Sequence, residues 1–312
     1  MEHTIVFLDR ETLGAEVRKP AFAHRYVEHD ATSPDQVAER LKDATICITN
    51  KVRIERAVLA QLPHLKLIAV AATGTDIIDK EAAKDHGVTV INIRNYAFNT
   101  VPEHVVALMF ALRRNLLAYA SDVRAGRWQE ARQFCFLDHP IRDIAGSTLG
   151  IVGFGAIGKQ IAKRALGLGM KVLAYDVFPQ DGLVDLDTLI RESDVITLHA
   201  PLTKETRGMI GADELKAMKP TAILINTARG GLVDEAALAL ALREGEIAGA
   251  GFDVLTEEPP SGGNVLLDLS IPNLIVTPHV AWASGEAMTF LANQLVDIIE
   301  AFVEGRPENV VS

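Results

Sequence analysis

Arg229, Glu258 and His279 each stand at or just beyond the end of an apolar run, and together they form a set able to hold an anion and move a proton. AILINTA runs into Arg229, IAGAGFDV into a loop carrying Glu257-Glu258-Pro259-Pro260, and LIVTPH ends at His279. Arginine grips a carboxylate through two parallel hydrogen bonds from its planar fork. Histidine, with an unperturbed pKa of about 6.5, gives or takes a proton near neutral pH. A carboxylate beside the imidazole fixes its tautomer and favours its charged form, a role that fits Glu258. Reduction of a 2-oxo acid needs these functions: a cation for the acid's carboxylate, a proton for the carbonyl oxygen, and a group that orients the donor. Taken singly, each residue is ordinary: a structural or surface histidine, an ion-paired arginine, an exposed acidic turn. Their arrival at strand ends, where open parallel sheets bind ligands, downstream of a dinucleotide-type turn, makes them a candidate site.

That turn is Gly153-Phe154-Gly155-Ala156-Ile157-Gly158. It follows the apolar run TLGIV, opens a helical pattern, and is followed about twenty residues on by Asp176 at the end of the next strand. Gly153 permits the tight turn, Gly155 lets the backbone approach a pyrophosphate stabilised by the helix N-terminus, and Gly158 allows close helix–strand packing. The Asp176 carboxylate can accept from a ribose hydroxyl and would repel a 2′-phosphate. Val177-Phe178-Pro179 after it contain no Arg or Lys to neutralise one, so NAD is expected over NADP.

Two alternating series of strands and helices must position these residues. In the first, TIVFLD, TICITN, LKLIAVAATG and VTVINI read as strands, with SPDQVAERLKD, IERAVLAQLP and KEAAKDHG as helices. Ser33 is the expected N-cap and Pro34 the first helical position of the earliest of them. One long helix is expected from about Val101 to Arg124, followed by an irregular segment, 126–146, mixing Trp128, Phe134, Phe136 and Leu137 with charges. The second series has strands TLGIVGFG, KVLAYD, VITLHA, AILINTA, IAGAGFDV and LIVTPH, with AIGKQIAKRALGLG, VDLDTLIRES, ADELKAM and DEAALALALREG as helices. A last helix runs from about Glu286 to Glu304. Such alternation predicts parallel sheets covered on both faces.

The 312 residues suffice for two domains, and 48% hydrophobic against 23% charged residues is a globular balance. A net charge of -10 argues against nucleic acid, though not against a small anion at a local cationic site. No stretch has the apolar length of a membrane span, and the N-terminal apolar run, four residues closed by Asp9 and Arg10, is too short for a signal-peptide core. The two cysteines, Cys47 and Cys135, lack metal-ligand spacing, so no metal is expected and a reducing, cytoplasmic setting fits.

With LGIVGFGAIG, LHAPLTKETRGMI, MKPTAILINTARGGLVDEAAL, GAGFDVLTEEPP and NLIVTPHVAWAS in view, the chain resembles the D-2-hydroxyacid dehydrogenases over nearly its whole length. VAATGTD, RAGRWQEARQFC and HVAWAS make it similar, within that family, to the glycerate dehydrogenases, also called hydroxypyruvate reductases. The resemblance implies an α/β fold of two Rossmann-like parallel-sheet domains separated by a cleft. Residues 1–98 plus 285–312 would form a flavodoxin-like substrate domain and 99–284 an NAD-binding Rossmann domain. It implies that Arg229, Glu258 and His279 are catalytic, and that Thr73, Gly74 and Thr75, in the loop that begins at Ala72, offer N–H groups to the substrate carboxylate. Ala156 and Ile157 join the three glycines at the cofactor; His199, Ala200, Pro201 and Thr206 would lie by the adenosine and phosphates. Thr227, Ala228 and Asp253 would lie by the nicotinamide, with Arg229 and His279 adjoining it. Trp282 would border the substrate pocket; interdomain packing is the other use of its ring. The family is typically homodimeric, and 126–146 resembles its dimerisation arm, a core-packing loop being the alternative. Formate is disfavoured, because formate dehydrogenases carry Gln where this chain has Glu258.

The implied reaction is NADH-dependent reduction of a small 2-oxo acid, hydroxypyruvate or glyoxylate, to D-glycerate or glycolate, reversibly. Alternatives are another short 2-oxo acid or an NAD-binding corepressor-like protein. A nucleotide-dependent methyltransferase would have no use for the Arg, Glu and His.

Overall fold

Residues 3–268 and 270–311 are described by a computed structural model, in which the chain divides into two units, residues 1–97 with 283–312 and residues 98–282. In the first unit the strands are β1 (His3–Phe7), β2 (His24–Glu28), β3 (Ile46–Thr49), β4 (Leu67–Val70) and β5 (Thr89–Asn92). They form an all-parallel sheet in the order 2-1-3-4-5, the flavodoxin-like order. β3 and β4 are buried at every position, as expected of continuous apolar runs covered on both faces. The covering helices are α1 (Val37–Leu41), α2 (Arg56–Leu59) and α3 (Lys80–Asp85), preceded in α1's case by a 3-10 turn at Pro34–Gln36 whose entry is fixed by the Ser33 N–H donating to Gln36 Oε1 at 3.2 Å. β2 was not anticipated. Its sequence, HRYVE, is polar and nowhere fully buried, because it is the edge strand.

The first unit is completed from the far end of the chain. The helix Gly285–Val303, α10 in chain order, buries Leu291, Ala292, Leu295, Val296, Ile298 and Ile299. Beyond it Val310 bridges Ile91 antiparallel, and the Val311 N–H donates to Val90 O at 2.9 Å.

The second unit carries β6 (Thr148–Val152), β7 (Lys171–Tyr175), β8 (Val195–Leu198), β9 (Ile223–Asn226), β10 (Gly249–Phe252) and β11 (Leu274–Val276), all parallel, in the order 11-10-9-8-6-7. A dinucleotide-binding sheet ordinarily carries one more strand outside β7. Here that place holds a remnant, the Val184 N–H donating to Ala174 O at 2.9 Å. Growth of the sheet reverses between β6 and β8, and the ligand crevice of such sheets lies outside the carboxyl ends at that reversal. The helices are α4 (Thr100–Arg113), α5 (Leu116–Arg124), α6 (Ala156–Gly167), α7 (Leu186–Glu192), α8 (Ala212–Ala217) and α9 (Glu235–Glu244).

The single helix expected from Val101 to Arg124 is two. Asn115 takes a left-handed φ of 49° and its Nδ2 donates to Pro140 O at 2.6 Å, so α4 ends and α5 sets off anew. Asparagine tolerates that region better than most side chains. α4 buries Val105, Leu108, Met109 and Leu112 with β6 and β9, whereas α5 buries nothing within the chain. The 126–146 segment after it contains no helix or strand. Among the described residues no helix is long and apolar enough to cross a membrane, and no group of three or more His, Cys, Asp or Glu could hold a metal ion.

Candidate active site

Three neighbouring strand ends are tied together by their backbones. The Asp253 N–H donates to Asn226 O at 2.9 Å, joining the exits of β10 and β9, and the His279 N–H donates to Asp253 O at 2.8 Å, joining the exits of β11 and β10. Past β9, the fully buried Asn226 donates through Nδ2 to Arg229 O at 2.9 Å and accepts from the Ala228 N–H at 3.1 Å. This folds the Thr227–Arg229 segment tightly. The Arg229 guanidinium donates to Ala228 O at 2.7 Å. At Gly230 a Cβ would lie 1.9 Å from Leu255 O, so only glycine lets this segment lie directly on the loop that leads to Glu258.

Glu258 closes the arrangement. Its Oε1 accepts from the Leu255 N–H at 2.8 Å and its Oε2 lies 2.6 Å from His279 Nδ1. An ionised carboxylate only accepts, so Nδ1 carries the proton and Nε2 is the ring atom left to serve a substrate oxygen. The pair keeps 26% and 35% side-chain exposure for His279 and Glu258, so a ligand can reach it.

His279 sits at φ 55°, a left-handed conformation that must be held by its surroundings. Asp253, 1% exposed, supplies much of that hold: Oδ1 accepts from Thr277 Oγ1 at 2.5 Å and the Val280 N–H at 2.9 Å, and Oδ2 from the Ala281 N–H at 2.8 Å. The residue implied beside the nicotinamide thus has both carboxylate oxygens engaged by the His279 loop. Trp282 donates its indole N–H to His279 O at 2.9 Å, a local use that the sequence did not reveal.

The glycine turn lies at the other strands of the same sheet. Gly153 has φ 94°, and a Cβ there would meet His199 C at 2.6 Å and Ala200 N at 2.7 Å, so the exits of β6 and β8 are in direct contact. A Cβ on Gly155 would meet nothing within 4 Å, which leaves open space over the N-terminus of α6, where Ala156, Ile157 and the buried Gly158 follow. Asp176 closes the side of the turn, its Oδ2 accepting from the Phe154 N–H at 2.7 Å and its Oδ1 from the Phe178 N–H at 3.0 Å. Burial pushes the His199 imidazole down to about 3, so it is neutral at pH 7, with Nε2 2.8 Å from Thr197 Oγ1. Anion binding at this turn therefore falls to backbone N–H groups and the helix terminus rather than to this ring. Thr206 Oγ1 donates to Pro201 O at 2.7 Å and closes the turn after Ala200. Thr227 Oγ1 is buried without a hydrogen-bond partner. The open cradle at Gly155, the carboxylate at Asp176 and the orphaned Thr227 hydroxyl are what a bound dinucleotide would use.

In the first unit, the Ala72–Thr75 loop leaves β4 and is braced by Thr73 Oγ1 donating to Ile93 O at 2.9 Å and Asn92 Nδ2 donating to Thr73 O at 2.7 Å. Among the described residues no protein acceptor meets the N–H groups of Thr73, Gly74 or Thr75. Consecutive unsatisfied N–H groups form an anion-binding concavity.

Residues 106–281 match the family described as D-isomer specific 2-hydroxyacid dehydrogenase, NAD binding domain. The chain belongs to this family. It is an NAD-dependent oxidoreductase acting on a CH–OH group. It is 66% identical to a glycerate dehydrogenase of Methylorubrum extorquens, over 100% of this chain and 99% of that one. It is 37% identical to a hydroxypyruvate reductase of Blautia hydrogenotrophica, over 92% of this chain and 91% of that one. A D-lactate dehydrogenase of Aquifex aeolicus, solved with NAD and lactic acid, superposes with a TM-score of 0.81 at 29% identity, covering 99% of each chain.

For a dehydrogenase of this family the structure also brings in residues that sequence reasoning did not single out. Asn226 folds the Arg229 segment, Thr277 engages Asp253, and Leu255 anchors Glu258 by its N–H. Asn226 and Thr277 had a signal, polar residues closing apolar strands; which partners they meet is decided by tertiary contacts.

Proposed function

We propose that this dehydrogenase reduces hydroxypyruvate or glyoxylate with NADH, giving D-glycerate or glycolate, and runs in reverse with NAD. The observation that carries the reading is the 2.6 Å Glu258–His279 pair set at the carboxyl edge of the dinucleotide-binding sheet, where Gly230 lays the Arg229 segment against the Glu258 loop. The whole-length similarity to a glycerate dehydrogenase favours hydroxypyruvate as substrate.

Gly153, Gly155, Ala156, Ile157, Gly158 and Asp176 hold the dinucleotide, with His199, Ala200, Pro201 and Thr206 on its adenosine side and Thr227, Ala228 and Asp253 toward the nicotinamide. Bound NADH supplies the hydride that reaches C2 of the oxo acid. Arg229 holds the substrate carboxylate and Trp282 borders the pocket; the N–H groups of Thr73, Gly74 and Thr75 are the anion-binding set that the first unit offers. Protonated His279 donates from Nε2 to the carbonyl oxygen while Glu258 holds Nδ1 and stabilises the cation. In the oxidative direction neutral His279 takes the hydroxyl proton.

The test is a steady-state screen of hydroxypyruvate, glyoxylate, pyruvate and longer 2-oxo acids with NADH and with NADPH. Highest kcat/KM is expected for hydroxypyruvate with NADH. Turnover on none of them would remove the assignment, and a higher kcat/KM with NADPH would overturn the reading of Asp176, whose carboxylate faces a ribose 2′-phosphate unfavourably.

The enzyme works as a homodimer in this reading. α5 and the segment after it expose Leu116, Leu117, Trp128, Phe134 and Leu137, the last two at 87% and 76%, a concentration of large apolar side chains along one stretch of chain that a second copy would cover. Sedimentation equilibrium is expected to give twice the chain mass; a monomer at micromolar concentration would refute this.

A further inference from the structure

The loop that carries His279 is braced by a chain of hydrogen bonds that continues past Asp253 to a second histidine. His104, on α4, has Nε2 3.1 Å from Thr277 Oγ1 and 3.9 Å from Asp253 Oδ1. The protons can be assigned. Thr277 has one hydroxyl proton, and its 2.5 Å contact to a carboxylate oxygen takes it, since that oxygen can only accept. Toward His104 the hydroxyl can therefore only accept, so His104 Nε2 carries a hydrogen. The order of donation runs from His104 to Thr277 to Asp253, and Asp253 in turn receives the Val280 and Ala281 N–H groups on either side of Oδ1 and Oδ2. Asp253 is 1% exposed, whereas His104 keeps 22% side-chain exposure and stands at the outer end of the chain.

This arrangement matters because His279 occupies the left-handed region at φ 55°, between residues that Asp253 grips. Removing the donor at His104 leaves Thr277 Oγ1 without a hydrogen bond to accept, so its own bond to Asp253 is less polarised and holds more weakly the carboxylate that fixes residues 280 and 281. Small displacements of a proton donor are costly, since donation requires hydrogen-bond reach.

We propose that His104 is a positioning residue for the reaction, acting through Thr277 and Asp253 on the loop that presents His279. The proposal rests on the assignment of His279 as proton donor made above. His104→Leu is expected to lower kcat roughly tenfold, the effect of one displaced hydrogen bond, with KM for NADH within about twofold. His104→Gln, whose amide N–H can reach the same hydroxyl, is expected to recover most of the loss, which a role in packing alone would not predict. In a His279→Ala background His104→Leu is expected to cause no further loss, because its effect passes through His279.

Wild-type kcat in His104→Leu, a Gln variant as slow as the Leu variant, or an additive loss on top of His279→Ala would each overturn the proposal. Should His104→Leu fail to fold, judged by NADH fluorescence titration, the near-isosteric Thr277→Val interrupts the same chain and is expected to show the same fall in kcat. The two readings separate cleanly. If His279→Ala alone keeps normal turnover, the assignment of His279 fails; if that variant is slow and His104→Leu is not, only the role of His104 fails.

Discussion

Replacing His279 with alanine is expected to lower kcat on the order of a hundred- to ten-thousandfold while the affinity for NADH stays within about twofold. The loss follows from geometry. Glu258 Oε2 lies 2.6 Å from Nδ1, so the imidazole is oriented with Nε2 outward, and alanine leaves water as the sole proton source. Nucleotide affinity is expected to be spared because the contacts proposed for it lie elsewhere, at the Gly153–Gly158 turn and Asp176, around the exits of β6 and β7. Steady-state NADH oxidation with hydroxypyruvate and a fluorescence titration of NADH measure the two quantities. Turnover near the wild-type value would take His279 out of the mechanism.

Arg229→Ala is expected to reduce kcat/KM for the oxo acid by roughly a hundred- to a thousandfold, carried mainly by KM, since two charge-assisted hydrogen bonds to the substrate carboxylate disappear. Arg229→Lys is expected to recover only part, because an ammonium cannot present the planar fork. The contrast with His279→Ala is informative: one variant fails in kcat, the other in KM. A KM unchanged in Arg229→Ala would mean that the carboxylate is held elsewhere.

The parts of this fold that could be read from sequence are those whose burial is complete. ICIT, LIAV, VITL and ILIN are buried at every position and are apolar or nearly so, which leaves little but a central strand as their reading. HRYVE escaped because an edge strand half in water has no such pattern, and the break at Asn115 escaped because apolar periodicity runs on through it while a side chain bonds to Pro140. The shrunken strand outside β7 is a single hydrogen bond at Val184, below anything periodicity can register. At the site, the order of Arg229, Glu258 and His279 along the chain pointed to their strand ends, and the carboxylate–imidazole pairing was legible from residue type. The partners that hold them were not. His104 reads as one more polar position on an amphipathic helix, and Asn226 as a strand-end amide. Their use depends on which donors and acceptors the sheet brings within reach.

The way the chain closes its first sheet has a bearing on how it is made. β1 to β5 leave the ribosome before residues 98–282, and α10 and the strip at Val310 that pairs with Ile91 only after them. Until then the surface destined for Leu291, Leu295 and Ile299 stays uncovered, although the unit between them, 98–282, is already fully translated. The nucleotide-binding unit can thus mature while the first sheet still waits, its apolar surface open to non-native contacts, for α10 and the strip at Val310 to arrive.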